Sequence, residues 1–206
     1  MRALVRREDE RAEALRRLGA EVVEGDLTDL ASMHRAIEGC RRIYFGMSVT
    51  PAYLEATVNT AAVARHHGVE AFVTTSQMTV SQMSISETTD SPQHKLHWLS
   101  EQALSWSGLP VVTVRPTVFL EGFFLHLAAP GVRASDELAL PMDKSTISQG
   151  RNRPIWTTMR ASSQLGRPIR YRDVPLPAWS ESLRQARFPE HVVHHLSAMA
   201  ELTRQG

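Results

Sequence analysis

Residues Ala71–Phe124 read AFVTTSQMTV, then a polar turn, then SPQHKLHWLSEQALSWSGLPVVTVRPTVFLEGFF, and this stretch decides the fold. An apolar strand ends in Thr74-Thr75-Ser76. A helix opens at Ser91-Pro92, carries His97 and Glu101, and stops at Gly108. A second strand, Val111-Val112-Thr113-Val114, runs out into Arg115-Pro116-Thr117. Strand, helix and strand in this order predict a right-handed crossover between parallel strands. Open sheets built from such units bind ligands beyond the carboxyl ends of their strands. Those ends carry Thr75, Ser76 and Thr117, small hydroxyls suited to orienting a ligand.

The same alternation extends back to the first residue. Arg2–Arg6 reads as a strand, and Glu8–Leu18 as a helix with Ala12, Leu15 and Leu18 at helical spacing and Gly19 as its stop. Glu21-Val22-Val23 is the next strand and leads into Gly25-Asp26-Leu27-Thr28-Asp29. Either Asp29 or Thr28 caps a helix over Leu30–Glu38 whose Leu30, Met33 and Ile37 share a face. Ile43-Tyr44-Phe45 is a strand leading to Gly46-Met47-Ser48. Thr50-Pro51 then signals a cap and N1 proline for a helix to about His67, with Leu54, Val58, Ala61 and Ala62 inward. Alternating strands and helices from Met1 to Arg115 predict a largely parallel sheet. Beyond Leu140-Pro141 the reading is a strand at Ile169-Arg170-Tyr171, helices over Trp179–Arg187 and Pro189–Leu202, and a loop at DKSTISQGRNRP.

The chain has 206 residues, enough for one substantial core with a small appendage. Apolar residues make up 42% and charged residues 22%, the balance of a globular protein in water. A net charge of +1 offers no electrostatic case for nucleic acid or an anionic membrane. Cys40 is the single cysteine, so no intramolecular disulfide can form, and the expected compartment is the cytoplasm. No apolar run reaches membrane-spanning length, and the charged MRALVRREDERAEALRRLG start is unlike a signal peptide.

The helical H-x-x-x-E of His97 and Glu101, followed by WSGLPVVTVRPTVFLE, resembles the NmrA-like branch of the atypical short-chain dehydrogenases/reductases. The resemblance covers Met1–Leu140 and resumes at Gly166–Gly206. It implies a Rossmann-like NAD(P)-binding domain over residues 1–140 and a small α-rich substrate or partner region over 141–206. The expected fold is therefore α/β, a doubly wound parallel sheet. One departure is large: these 206 residues contain no G-x-G-x-x-G turn and no strand ahead of one. That turn's backbone N–H groups and its helix dipole hold the pyrophosphate. The matching segment begins at the family's second strand, so the expected sheet lacks a central strand and has uncovered edges. The stretch after Pro141 is also shorter than the family's, by roughly one helix-strand-helix unit.

The resemblance assigns roles residue by residue. Arg6 and Arg7 end the first strand, where arginine accommodates a 2′-phosphate, so the implied cofactor is NADP rather than NAD. The same RREDER segment also reads as a solvated helix start. Asp26, with Leu27, falls where the family's G-D-x-x-D meets the adenine amino group, and it equally suits a turn and cap. Gly46 and Met47 fall where main chain approaches the cofactor. Ser76 takes the strand end of the usual catalytic serine, and Thr117 follows the R-P motif. His97 occupies the lysine position of Tyr-x-x-x-Lys, while Gln93 occupies the tyrosine position and cannot serve as a phenolic acid. Tyr44, Tyr53 and Tyr171 lie on other elements. His97 and Ser76 are thus the catalytic candidates, and both also count among the cofactor-binding residues.

Arg115 reads as structural, through carboxylate or carbonyl bonds, and Phe119, Phe123 and Phe124 as either core or the lining of an apolar pocket. His191 and His195 have the i, i+4 spacing of some zinc sites, but no H-E-x-x-H context completes them, and no metal is expected. Three functions follow. One is reduction of a small carbonyl or quinone by NAD(P)H, with the proton from solvent or His97. The second is a redox-sensing or protein-binding module that holds the dinucleotide without chemistry. The third is a truncated relative that binds no cofactor. Exposed sheet edges also make self-association an expectation.

Overall fold

The computed structural model describes residues 1–86, 90–116, 125, 127–141 and 162–205. Strand β1 (Arg2–Val5), helix α1 (Glu10–Arg17), β2 (Glu21–Glu24), α2 (Leu30–Ile37), β3 (Arg42–Phe45), α3 (Tyr53–His66), β4 (Ala71–Thr75), α4 (Pro92–Trp106) and β5 (Val111–Val114) alternate as the sequence predicts. A 3₁₀ turn, Met78–Gln82, follows β4. Local chemistry sets the helix starts. Asp9 accepts from the backbone N–H groups of Arg11 and Ala12, and Asp29 from those of Ala31 and Ser32. Each such cap is worth about 1 kcal/mol against alanine. Gly108, with φ of 73°, turns the chain from α4 towards β5 in the left-handed region where a side chain is strained.

Two compact units result, Met1–Met83 with Gln93–Pro116, and Ser84–Pro92 with Thr117–Gly206. In the first, every strand pair is parallel. β1 pairs with β2 from Arg2↔Glu21 to Val5↔Glu24. β4 lies between β3 and β5, with Phe45↔Thr74 and Thr75↔Val114 as the last matched pairs. Among the described residues, β1–β2 and β3–β4–β5 form two separate parallel ladders. The two sheets nevertheless share one core. Leu4 of β1 and Ile43 of β3 pack on the cluster formed by Met33, Ile37, Phe45, Tyr53, Val63, Phe72 and Leu104. Arg2 also reaches from β1 to the carbonyls of Ala36 (3.0 Å) and Glu38 (2.8 Å), tying that strand to the segment that leads into β3.

Helix α3 departs from its predicted face and start. Its cap position is Ala52, with no side-chain bond, and Pro51 lies in the preceding turn. The buried residues are Tyr53, Ala56, Thr57, Thr60, Ala61, Val63 and Ala64, whereas Val58 is 45% exposed. Two threonines go inside because each hydroxyl donates to the carbonyl one turn back, Thr57 to Tyr53 (2.8 Å) and Thr60 to Ala56 (2.7 Å). A satisfied threonine packs as a small branched residue. A hydropathy pattern counts it as polar, so of the four residues expected inward Ala61 is buried and Leu54 half-buried, while Val58 and Ala62 face out. Similarly Leu18, read as part of α1's apolar face, is the helix's last cap and is 83% exposed.

The second unit holds helix α5 (Ala129–Ser135), β6 (Glu137–Leu140), β7 (Arg170–Asp173), α6 (Leu176–Gln185) and α7 (Glu190–Gln205). β6 and β7 form a parallel pair, with Glu137↔Arg170 to Leu140↔Asp173 in register. β6 is not legible as a strand in the sequence. Its own core contains Leu138, Leu140, Ile169, Trp179, Leu183 and Val193. Thr117, Phe119, Phe123, Phe124 and the DKSTISQGRNRP segment lie outside the described residues. Among the described residues, no helix is long and apolar enough to cross a membrane.

Candidate functional site

The first unit brings most of the predicted residues to the carboxyl ends of its strands. Arg6 follows β1 and Asp26 follows β2, and the parallel pairing sets them side by side, with Arg6 Nη2 3.7 Å from Asp26 Oδ2. Asp26 is held from within its own turn. Thr28 donates to Asp26 Oδ1 through its backbone N–H (2.9 Å) and its hydroxyl (2.8 Å), which keeps the carboxyl below its usual range. The Asp26 N–H in turn donates to Ser32 Oγ at 2.8 Å. Arg6 and Arg7 are exposed, and Leu27 and Met47 pack against the same core cluster. Gly46 sits under the Tyr44 ring, where an added Cβ would come within 3.3 Å of it.

Gly25 escaped the sequence reading. A Cβ there would lie 2.2 Å from Ser32 Oγ, so only glycine lets β2 pass close enough to α2 for the Asp26–Ser32 bond.

The other end of the site forms around β4. Thr75 is approached by two phenols. Tyr44 shares a 2.8 Å hydrogen bond with Thr75 Oγ1, and Tyr53 donates to the Thr75 carbonyl at 3.3 Å. Tyr53 also packs edge-to-face on His97, with ring centroids 5.0 Å apart. Tyr53, at the start of α3, thus sets beside His97 a phenol that the α4 motif itself does not carry. The signal for this was available: in a strand-helix unit, the helix's first turn returns to the strand's carboxyl end. The chemistry differs from a tyrosine activated by lysine. Burial pushes the Tyr53 phenol up to about 12, and burial pushes His97 down to about 4. Both are neutral at pH 7. His94, one turn earlier on α4, is fully buried, bonded to Thr79 Oγ1 at 2.9 Å and likewise lowered to about 4 by burial.

Ser76 and Gln77 follow directly. Ser76 donates its backbone N–H to the Val114 carbonyl (2.8 Å), which locks it at the strand end. Its Oγ is buried with no hydrogen-bond partner among the described residues, and so is Gln77 Nε2. Two adjacent buried polar groups without partners cost on the order of 1–3 kcal/mol each. Such a cost is offset when a ligand supplies the missing bonds. Arg115, after β5, is taken up by a two-pronged pair with Glu101 on α4, whose side chain is 9% exposed. That is the structural role read from the sequence.

The remaining candidates do not join this site. His195 lies in the second unit, buried, with its Nδ1 3.1 Å from Ser91 Oγ. Cys40 is half-buried, donating to the Ala36 carbonyl at 3.6 Å, in line with its reading as a small packed side chain.

No curated protein sequence matches the chain. Among solved structures, the NADPH-dependent quinone oxidoreductase QOR2 of Escherichia coli, complexed with NADPH, superposes with a TM-score of 0.78 at 16% identity. The match covers 100% of this chain and 80% of that one. The triphenylmethane reductase of Citrobacter sp., complexed with NADP(H), gives 0.75 at 18% identity, covering 100% and 81%. A nucleoside-diphosphate-sugar epimerase from Staphylococcus aureus gives 0.69 at 17%, covering 100% and 81%. At these identities the likeness establishes the Rossmann-like fold. The family model described as NAD(P)H-binding matches residues 1–134, well over half of the chain. With its parallel sheets and its polar strand ends, this chain belongs to the NAD(P)H-binding family.

Proposed function

We propose that the protein is an NADPH-dependent reductase of a small carbonyl or quinone compound. The observation that carries the reading is the buried, unpartnered pair Ser76 Oγ and Gln77 Nε2 at the end of β4, directly after Thr75, whose carbonyl accepts from Tyr53. The residues present fit both ends of a dinucleotide. Arg6 and Arg7 are exposed cations following β1, and Arg6 lies 3.7 Å from Asp26, a cation and a carboxylate of the kind a 2′-phosphate and an adenosine require. Ser76 and Gln77 offer hydrogen bonds to the carboxamide end or to a substrate carbonyl.

When bound, the nicotinamide supplies a hydride. The chain's residues do the rest. Ser76 and Gln77 orient the acceptor carbonyl. The neutral His97 holds a ribose hydroxyl or the substrate by a hydrogen bond. Tyr53 keeps its proton on the Thr75 carbonyl and walls the site. The proton that completes reduction comes from water, since Tyr53 and His97 both stay neutral at pH 7. A quinone suits this arrangement because its reduced oxygens take solvent protons without a dedicated acid. Structural likeness to a quinone oxidoreductase and a dye reductase supports the substrate class.

The same neutrality of Tyr53 and His97 also supports a second reading, a module that holds NADPH as a redox signal without turning it over. One experiment separates the readings. NADPH and NADH are titrated by calorimetry, and NADPH oxidation is then followed with 1,4-benzoquinone. The expected result is saturable NADPH binding, weakened at least tenfold by Arg6→Ala with NADH little affected, and turnover reduced by Ser76→Ala. Binding without turnover across a quinone series gives the sensor. No binding by folded protein at millimolar NADPH overturns both, leaving a chain of this family that holds no cofactor.

A further inference from the structure

Three histidines meet at a place remote from this site. His34 lies in the last turn of α2, His66 is the last residue of α3, and His67 is its C-terminal cap. The ring centroids are 5.1 Å apart for His34 and His66, 5.3 Å for His34 and His67, and 5.0 Å for His66 and His67, all edge-to-face. One nitrogen of each ring lies within 4.8 Å of the other two. From these contacts we infer a binding site for a first-row divalent cation of the zinc type, with His34, His66 and His67 as protein ligands and water in the fourth position.

Geometry, ligand chemistry and field all agree. Two nitrogens on a tetrahedral zinc ion with bonds of 2.0–2.1 Å stand about 3.3 Å apart. His34 Nδ1 and His67 Nε2 are already 3.2 Å apart, a separation that also suits a hydrogen bond in which one ring donates. His66 closes the triangle by a turn of a surface side chain, a motion of nanoseconds or less. Imidazole is the ligand that zinc, copper and nickel share, and three of them with one open position is an established zinc arrangement. Both helices present their C-terminal ends here, and that end of a helix dipole favours a cation. The nearest basic side chain on α3, Arg65, is turned away to the Ser107 carbonyl at 2.8 Å.

The site is separate from the dinucleotide end of the molecule. Tyr53 and His66 are the first and last residues of α3, so a helix of that length puts roughly 20 Å between them. The cation would therefore act as a clip between α2 and α3 and take no part in hydride transfer. It would hold together two helices that contribute to the same core, α2 through Met33 and Ile37 and α3 through Tyr53 and Val63. Any ligand that binds only the folded chain raises its stability in this way.

The test uses untagged protein, stripped with chelator and titrated with Zn²⁺ by calorimetry, with Co²⁺ absorption as a coordination probe. The expected result is one Zn²⁺ per chain, a higher unfolding midpoint with Zn²⁺, and a Co²⁺ spectrum of four-coordinate intensity. His34→Ala, His66→Ala and His67→Ala should each weaken binding by more than the roughly 10- to 100-fold that loss of a supporting hydrogen bond costs a metal site. Circular dichroism confirms that each variant is folded. His191→Ala with His194→Ala, on α7, should bind Zn²⁺ normally. Absence of stoichiometric binding by the unmodified chain overturns the inference, as does binding that survives His34→Ala or is lost with the α7 histidines.

Discussion

Gly25→Ala tests how β2, α2 and the Asp26 turn depend on one another. The glycine's φ lies outside the positive region, so alanine can adopt the backbone and the cost is steric. The new Cβ would stand 2.2 Å from Ser32 Oγ and 2.9 Å from Leu4 Cδ1. Leu4 can swing, but Ser32 must leave its rotamer and so loses the 2.8 Å bond from the Asp26 N–H. Overpacking of this kind costs about 1–3 kcal/mol, and the lost bond adds about 1 kcal/mol, so Gly25→Ala should destabilise by roughly 2–4 kcal/mol. Ser32→Ala alone forfeits only the bond, about 1 kcal/mol.

The double variant is the decisive one. It removes the Oγ, leaving the new Cβ 3.5 Å from Ser32 Cβ, an ordinary contact, and loses the same bond only once. It should therefore cost roughly 1–2 kcal/mol, well short of the sum of the singles, with a coupling near 2 kcal/mol. Urea unfolding followed by far-ultraviolet circular dichroism measures all three. Additivity to within about 0.5 kcal/mol would refute the close approach of Gly25 to Ser32. Because Asp26 leads from this turn to Arg6, Gly25→Ala should also weaken NADPH binding, and the double variant should partly restore it.

Two further outcomes follow from burial. His94 and His97 titrate near 4 in the folded chain, against 6.5 unperturbed, so between those values the unfolded chain binds more protons. Their contribution is complete above about pH 6.5 and is lost as pH falls towards 4, on the order of 3 kcal/mol per histidine. Unfolding midpoints from pH 7.5 to 4 should show this slope, and His94→Gln should flatten it; an unchanged slope would mean that His94 is not held neutral. Phe72, fully buried in β4 between β3 and β5, should cost about 3–5 kcal/mol as alanine, and a loss below 1 kcal/mol would show that the cavity is filled by rearrangement.

The local order of the first unit was readable residue by residue. Asp9, Asp29, Gly19 and Gly108 mark helix ends by short-range chemistry, and apolar runs such as Ala71–Val73 mark strands. Their alternation with helices implies parallel pairing because antiparallel hairpins need no crossover helix.

What escaped depends on which residues meet. Tyr44 and Tyr53 converge on Thr75 because β3 and β4 are adjacent and α3 begins at their carboxyl ends, although 31 and 22 residues separate them from Thr75 in sequence. The inward face of α3 is only partly legible, Ala61 but not Val58 or Ala62, because its threonines satisfy their hydroxyls internally, which no hydropathy scale records. β6, four residues long, gains its identity only from pairing with β7 across a separation of more than thirty residues. His34 stands 33 residues from His67, and only the packing of α2 against α3 puts their nitrogens 3.2 Å apart. Short-range hydrogen bonding and periodicity are written along the chain. Chemistry that needs atoms within a few ångströms from different elements exists only once the helices and strands have packed.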